Sequence, residues 1–291
     1  MGDDNINRKR RGWVTSLVAC ALAACRPVSV LNALIPAGNM HVQRNLAFGT
    51  SPRQMLDIYR PVTPVAGALP VVMFFYGGSW DSGSKQDYLF VAEALTSLGY
   101  LVVIPDYRVY PEVKFPQLMQ DPAQAVYWVK QHIASMQGDP DRVFLMGHSA
   151  GAHLAMMLSL NPAYLSQVGL TPKAIAGTIG LAGPYDFLPL TSDRLRAIFA
   201  PPDQEWLSQP IHFVQLPLPP LLLLTGLKDQ TVWPKNSINL AQAVERVGGQ
   251  VRLNTYAEYD HVDIIAKLAR PLRGRSLVLS DIAEWMRAHG G

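Results

Sequence analysis

Ser149 sits between two glycines in Gly147-His148-Ser149-Ala150-Gly151, where the apolar run RVFLM gives way to the helix-like stretch AHLAMMLSL. A serine hydroxyl is a poor nucleophile at neutral pH; it needs a base to take its proton, and that base needs an acid to fix its tautomer. A serine held in a tight strand-to-helix turn is presented to the crevice at the carboxyl end of a sheet, provided that its neighbours are small enough for strand and helix to meet. Gly147, Ala150 and Gly151 satisfy that condition. The start of the following helix adds positive potential and a free backbone N–H from Ala150. The chemistry predicted is acyl transfer, with Ser149 attacking a carbonyl carbon and carrying the acyl group covalently.

The base must be a histidine, and in nucleophile-elbow proteins the chain order is serine, acid, histidine. Four histidines follow Ser149. His153 lies on the helix just after it, His212 falls in an irregular region before the best acid, and His289 is near the C-terminus. His261, in the loop AEYDHVD after the last strand-like segment, is the expected base. Asp229, directly after the leucine run in LLLLTGLKDQTV, is the expected acid, with Asp186 in GPYDF as runner-up. Asp260 and Asp263 lie too close to His261 in sequence to orient its ring. The anionic tetrahedral intermediate would need donors, and FFYGGSW ends an early buried strand with paired glycines. The backbone N–H groups of Gly78, Ser79 and Ala150 are the expected oxyanion hole.

These residues need strand ends to carry them. HVQRNLAFG and QMLDIYRP read as an opening antiparallel pair, and LPVVMFFYGG as a strand buried on both faces. Thereafter helix-like segments at 86–98, 116–136, 150–160, 236–247 and 280–288 alternate with strand-like YLVVIPDY, RVFLMGHS, KAIAGTIGLAGPY, PLLLLTG and QVRLNTYAEY. Asp281 and Glu284 are spaced as a capping box for the last helix. Such alternation predicts an α/β fold: a mostly parallel central sheet with helices on both faces. Residues 184–220 are dense in proline and lack periodicity, which predicts an irregular excursion over the sheet edge and no large separate lid domain.

The chain has 291 residues, 49% of them hydrophobic and 16% charged, which suits a globular protein with a large core. Its formal charge of +3 is concentrated at the N-terminus, where Arg8, Lys9, Arg10 and Arg11 face only Asp3 and Asp4. The remainder is nearly neutral, so no nucleic-acid partner is expected. The basic cluster precedes GWVTSLVACALAAC, a leader-like apolar stretch too short to span a bilayer. LAAC, ending at Cys25, resembles a bacterial lipobox; LVAC, ending at Cys20, leaves a shorter apolar core, and a plain secretory signal is the alternative. The expectation is an exported chain, lipid-anchored through Cys25 in a bacterial membrane, with 1–25 as signal segment, 26–40 as linker and 41–291 as the folded domain. Both cysteines lie in the leader, which leaves the domain without a disulfide or a thiol nucleophile. The histidines are scattered without metal-ligand spacing, so no metal or cofactor is expected.

The segments YGGSWDSGSK, PDYRVYPEVKFPQLMQDPAQAVYWV, GDPDRVFLMGHSAGAHLA, GLKDQTV and DHV resemble the α/β-hydrolase superfamily, specifically carboxylesterases related to hormone-sensitive lipase, BD-FAE esterases and kynurenine formamidases. The resemblance spans about residues 50 to 288 and implies a serine carboxylesterase acting on short-chain or aryl esters. It departs at Tyr76, where the family usually has a histidine that braces the oxyanion segment; it also implies structural roles for Tyr107 and Arg108. Trp80, Phe187, Trp206 and Trp233 fall on or near carboxyl-end loops and are the expected lining of an apolar substrate pocket. An amidase, formamidase or peptidase with the same triad, and a non-catalytic ligand-binding protein, are the competing readings.

Overall fold

The computed structural model describes residues 31–32, 35–36, 38–64, 66–199 and 202–290. The expected leader, with Cys20 and Cys25, lies outside the described residues. No helix among those described is long and apolar enough to cross a membrane.

Among the described residues, eight strands build one sheet: β1 (Met40–Ala47), β2 (Met55–Pro61), β3 (Leu69–Phe75), β4 (Leu101–Pro105), β5 (Gly138–His148), β6 (Gly177–Leu181), β7 (Leu221–Gly226) and β8 (Val251–Tyr256). Their order is β1-β2-β4-β3-β5-β6-β7-β8. β1 pairs antiparallel with β2, and β2 with β4; every other pairing is parallel. Among the described residues, six α-helices of seven residues or more accompany them: α1 (Leu89–Thr96), α2 (Gln120–His132), α3 (Ala150–Leu160), α4 (Asp193–Phe199) and α5 (Lys235–Arg246) between strands, and α6 (Val278–His289) after the last.

The leucine run of β7 shows why the strands are continuously apolar. Successive side chains of a strand point to opposite faces. Leu221 and Leu223 pack with Ala152 and Met156 of α3 and Leu240 and Val244 of α5, whereas Leu222 and Leu224 join the other core with Ile282 and Trp285 of α6. Helices cover both faces, so the four leucines are buried on either side and the only polar side chain of the strand, Thr225 near its carboxyl end, is buried too.

Three local expectations need correction. The helix expected over 116–136 is a 3-10 turn (Gln117–Met119), α2, and a second 3-10 turn (Ile133–Met136). It stops at Gln137, whose φ is 68° and whose carbonyl accepts from Leu69 N–H of β3 at 2.7 Å. The capping box does not form, because α6 begins at Val278 and places Asp281 inside its first turn. Asp281 instead accepts a hydrogen bond from the Tyr256 hydroxyl at 2.6 Å, Glu284 pairs with Arg252 at 2.9 Å, and Ser276 Oγ accepts from Val278 N–H. Finally, residues 184–220 do not cross a sheet edge, since β6 and β7, which they connect, are interior neighbours. They hold α4 and two 3-10 turns, and pack beside the carboxyl ends of the strands through contacts described below.

Candidate active site

Ser149 follows the last residue of β5 and precedes α3, with φ 55° and ψ −123°. Such positive-φ backbone is costly for a residue with a side chain and persists only when its surroundings enforce it. Here the enforcement is close packing of main chain on main chain. A Cβ on Gly151 would lie 2.0 Å from the carbonyl oxygen of Phe75 at the end of β3, and one on Gly147 would lie 2.3 Å from the backbone of Gly151. Glycine at both positions lets α3 start directly against the sheet. Ser149 N–H is held by the Leu181 carbonyl of β6 at 2.9 Å, which leaves Oγ partly exposed at the carboxyl end.

His261 arrives from the loop after β8. Its Nε2 lies 2.9 Å from Ser149 Oγ and its Nδ1 lies 2.8 Å from Asp229 Oδ2. A carboxylate oxygen only accepts, so Nδ1 carries the proton and Nε2 presents its lone pair to the serine hydroxyl. Asp229 follows β7 and is buried; its other oxygen accepts from the N–H groups of Thr231 and Val232 at 2.9 and 2.8 Å. The runner-up acid, Asp186, is engaged by Asn239 Nδ2 at 2.7 Å. Asp260 accepts from Val262 and Asp263 N–H at 2.9 and 2.8 Å and thereby shapes the loop after the histidine. His212 is exposed beside Trp206, and His289 Nδ1 faces the Trp285 carbonyl, so neither reaches the serine.

The segment expected to form the oxyanion hole curls past Ser149. A Cβ at Gly77 would lie 3.1 Å from Ser149 Cβ, and Gly78, Ser79 and Trp80 all have positive φ. Gly78 carbonyl ties the turn by accepting from the N–H groups of Asp81 and Ser82, both at 3.1 Å. Among the described residues, no protein acceptor takes the N–H of Gly78, Ser79 or Ala150. Tyr76 braces this segment from behind: its hydroxyl donates to Asp106 at 2.8 Å and accepts from Arg53 at 3.0 Å, while its ring stacks between Tyr88 and Tyr107. Burial, then Tyr107 and Asp106, raise the Tyr76 phenol well above its ordinary range, so it remains a donor. Tyr107 hydroxyl donates to the Tyr76 carbonyl at 2.6 Å, and Arg108 grips buried Asp121 through Nε and Nη2. Arg53 further ties the Gly83 and Tyr107 carbonyls at 2.9 and 2.7 Å. A phenol with an arginine and an aspartate thus supports the turn where the resemblance implied a histidine.

The four aromatics expected to line one pocket separate. Trp80 is buried and stacks on half-buried Phe187 at 5.8 Å, with Phe199 of α4 edge-on to both. Trp206 stacks on Phe213 and is 48% exposed, and Trp233, on the loop after Asp229, is 64% exposed. The sequence reading missed the hub of the buried group, His153. Trp80 Nε1 donates to its Nδ1 at 3.1 Å and its Nε2 donates to the Ser208 carbonyl at 2.7 Å. Indole only donates and a carbonyl only accepts, so the tautomer is fixed. Burial pushes the His153 pKa down to about 4, which keeps the ring neutral. Its spacing of four residues from Ser149, one turn along α3, was the available signal. Among the described residues, no three His, Cys, Asp or Glu side chains are grouped to hold a metal ion.

A family model described as BD-FAE matches residues 56–244, and the chain belongs to that family. A probable isoprenylcysteine α-carbonyl methylesterase of Arabidopsis thaliana is 29% identical over an alignment of 289 residues that covers 90% of this chain and 60% of that protein. The chain therefore spans about 60% of that relative's length. Kynurenine formamidase of Salmo salar is 30% identical over 231 residues, covering 77% of this chain and 76% of its own. Among solved structures, a truncated carbohydrate esterase from gut microbiota superposes with a TM-score of 0.76 at 18% identity, over 88% of this chain and 99% of that one. Inhibited esterase B from Lactobacillus rhamnosis superposes with 0.74 at 20% identity, over 94% and 96% of the two chains. The fold is the α/β-hydrolase fold.

Proposed function

We propose that this BD-FAE family member is a serine carboxylesterase that hydrolyses short-chain or aryl esters through an acyl-enzyme on Ser149. The observation that carries the reading is the continuous line from Asp229 Oδ2 to His261 Nδ1 at 2.8 Å and from His261 Nε2 to Ser149 Oγ at 2.9 Å. In the first half-reaction Ser149 Oγ bonds to the ester carbonyl carbon while its proton passes to His261 Nε2. The carbonyl electrons move to oxygen, where the N–H groups of Gly78, Ser79 and Ala150 are the available donors. The carbon–alkoxide bond then breaks, and His261 returns the proton to the leaving alcohol. Water repeats the sequence on the acyl-serine and releases the acid. Asp229 keeps His261 in the productive tautomer and stabilises the imidazolium in each half.

The preference for short or aryl esters is supported by the aromatic cluster of Trp80, Phe187, Phe199 and His153, whose rings pack against one another beside the oxyanion segment. Amide cleavage is the second reading, favoured by the likeness to a kynurenine formamidase over most of that protein's length. One experiment separates them: the purified protein and Ser149→Ala are assayed on p-nitrophenyl esters from acetate to palmitate, beside a matched anilide. The expected result is Ser149-dependent turnover that is highest on the shortest esters. Faster cleavage of the anilide would replace the esterase by an amidase, and turnover unchanged in Ser149→Ala would overturn the serine mechanism.

A further inference from the structure

The side chain between Gly147 and the nucleophile takes no part in the chemistry above. His148, the last residue of β5, is buried, 6% exposed. Its Nε2 donates to the backbone carbonyl of His261 at 3.0 Å. A carbonyl only accepts, so Nε2 bears the proton and Nδ1 a bare lone pair, which has no hydrogen-bond partner among the described residues. The two imidazoles lie against each other, with centroids 4.8 Å apart and planes inclined by 39°. On its other side the ring touches the oxyanion segment, where a Cβ on Gly77 would come within 3.2 Å of His148 Nδ1. One buried imidazole therefore contacts both the loop that carries the base and the segment that carries the oxyanion donors.

His261 needs such a tie. Its loop follows β8, an edge strand of the sheet, none of whose residues is fully buried. Asp229 and Ser149 engage the two ring nitrogens, but a ring held only through its nitrogens still moves with its backbone. The bond from His148 joins that backbone to the centre of the sheet. Burial and the neighbouring His261 push the His148 pKa down to about 3, so the tie carries no charge. A lysine or arginine there would donate equally well but would set a permanent positive charge beside the imidazolium that must form on His261.

We infer that His148 is a positioning residue for the reaction: its Nε2–H and its ring hold His261 at the reach and angle from which Nε2 takes the Ser149 proton. The inference rests on the proposed serine hydrolase reading. A displacement of about 1 Å in such a group lowers turnover by about 100-fold.

The test compares His148→Met, which keeps the bulk without a donor, with His148→Gln, whose amide N–H reaches the position of the imidazole Nε2. On p-nitrophenyl acetate, His148→Met should lower kcat about 10-fold to 100-fold with KM within about twofold, and slow fluorophosphonate labelling of Ser149 in parallel. His148→Gln should recover kcat to within about fivefold of wild type at a similar Tm. Full turnover in His148→Met, or equal losses in both variants, would overturn the inference, the second outcome leaving only a packing role. If His148→Met fails to fold, His148→Asn replaces it: its amide is one methylene too short to reach the carbonyl, so a kcat matching His148→Gln would overturn the inference. Wild-type protein without Ser149-dependent turnover or labelling would instead overturn the hydrolase reading.

Discussion

Both carboxylate oxygens of Asp229 are committed, one to His261 and one to the N–H groups of Thr231 and Val232. Asparagine at this position would keep the bulk but offer either an amide N–H to the protonated Nδ1, which repels it, or an oxygen at the expense of the loop. The imidazole would turn to the wrong tautomer, and kcat/KM on p-nitrophenyl acetate should fall about 1000-fold to 10,000-fold in Asp229→Asn. Asp186 is bound to Asn239 on α5 and should tolerate the same change, with activity within about threefold of wild type. Measured activities in the reverse order would make Asp186 the acid and the line seen here a resting arrangement. Residue by residue, Ser149, Asp229 and His261 were legible because each stands at the end of a strand-like run. His148 and His153 were not. Their work depends on carbonyls of His261 and Ser208, far away in sequence, and no local pattern announces a backbone partner.

At the scale of elements, the turn that presents the serine depends on how closely α3 approaches β3. Gly151→Ala would drive a methyl group into the Phe75 carbonyl, which belongs to a buried strand and has no flexible end to yield. Overpacking of this kind costs about 3 kcal/mol. For a chain of this size that lowers Tm by about 6 to 12 °C, and it should slow fluorophosphonate labelling because the elbow itself is displaced. Gly274→Ala is the control, with φ −65° and nothing near its added methyl, and should leave both quantities unchanged. The same physics explains which elements the sequence disclosed. β3, β4 and β7 are buried on both faces and wrote themselves as apolar runs, and α3 and α5 were readable to within a residue. α4 was hidden because tertiary contacts hold it: Phe115 N–H donates to the Ile198 carbonyl, Phe199 packs on Trp80, and Arg194 pairs with Asp81 of the oxyanion segment. The start of α6 was misread because Asp281 is recruited by Tyr256 and Arg252 of β8, a partner that spacing within the helix cannot reveal.

Across the whole molecule, Ser149, Asp229 and His261 follow the ends of β5, β7 and β8, so the geometry of the candidate site is the geometry of the sheet. Two neutral imidazoles, His148 and His153, are buried where that sheet meets its helices, and they make the fold sensitive to acid. Their folded-state pKa values, pushed down mainly by burial to about 3 and about 4, lie below the ordinary histidine value of about 6.5 that they regain on unfolding. Above that ordinary value both states are neutral and pH has no effect through them. As pH falls below it, the unfolded chain takes up protons that the native state refuses, so stability declines until the native pKa is reached. Each group should contribute a loss of about 2 kcal/mol between pH 7 and pH 5. His153→Gln isolates one of them, because the amide can still accept from Trp80 or donate to Ser208 but cannot titrate. At pH 7 the variant should be the less stable protein, having lost one of those two hydrogen bonds. The gap should narrow by about 2 kcal/mol at pH 5, read as about 4 to 8 °C in the difference between the two Tm values. A gap that stays constant from pH 7 to pH 5 would mean that His153 is as easily protonated inside the fold as outside it, and that the Trp80–His153–Ser208 chain is not held in its neutral form by burial.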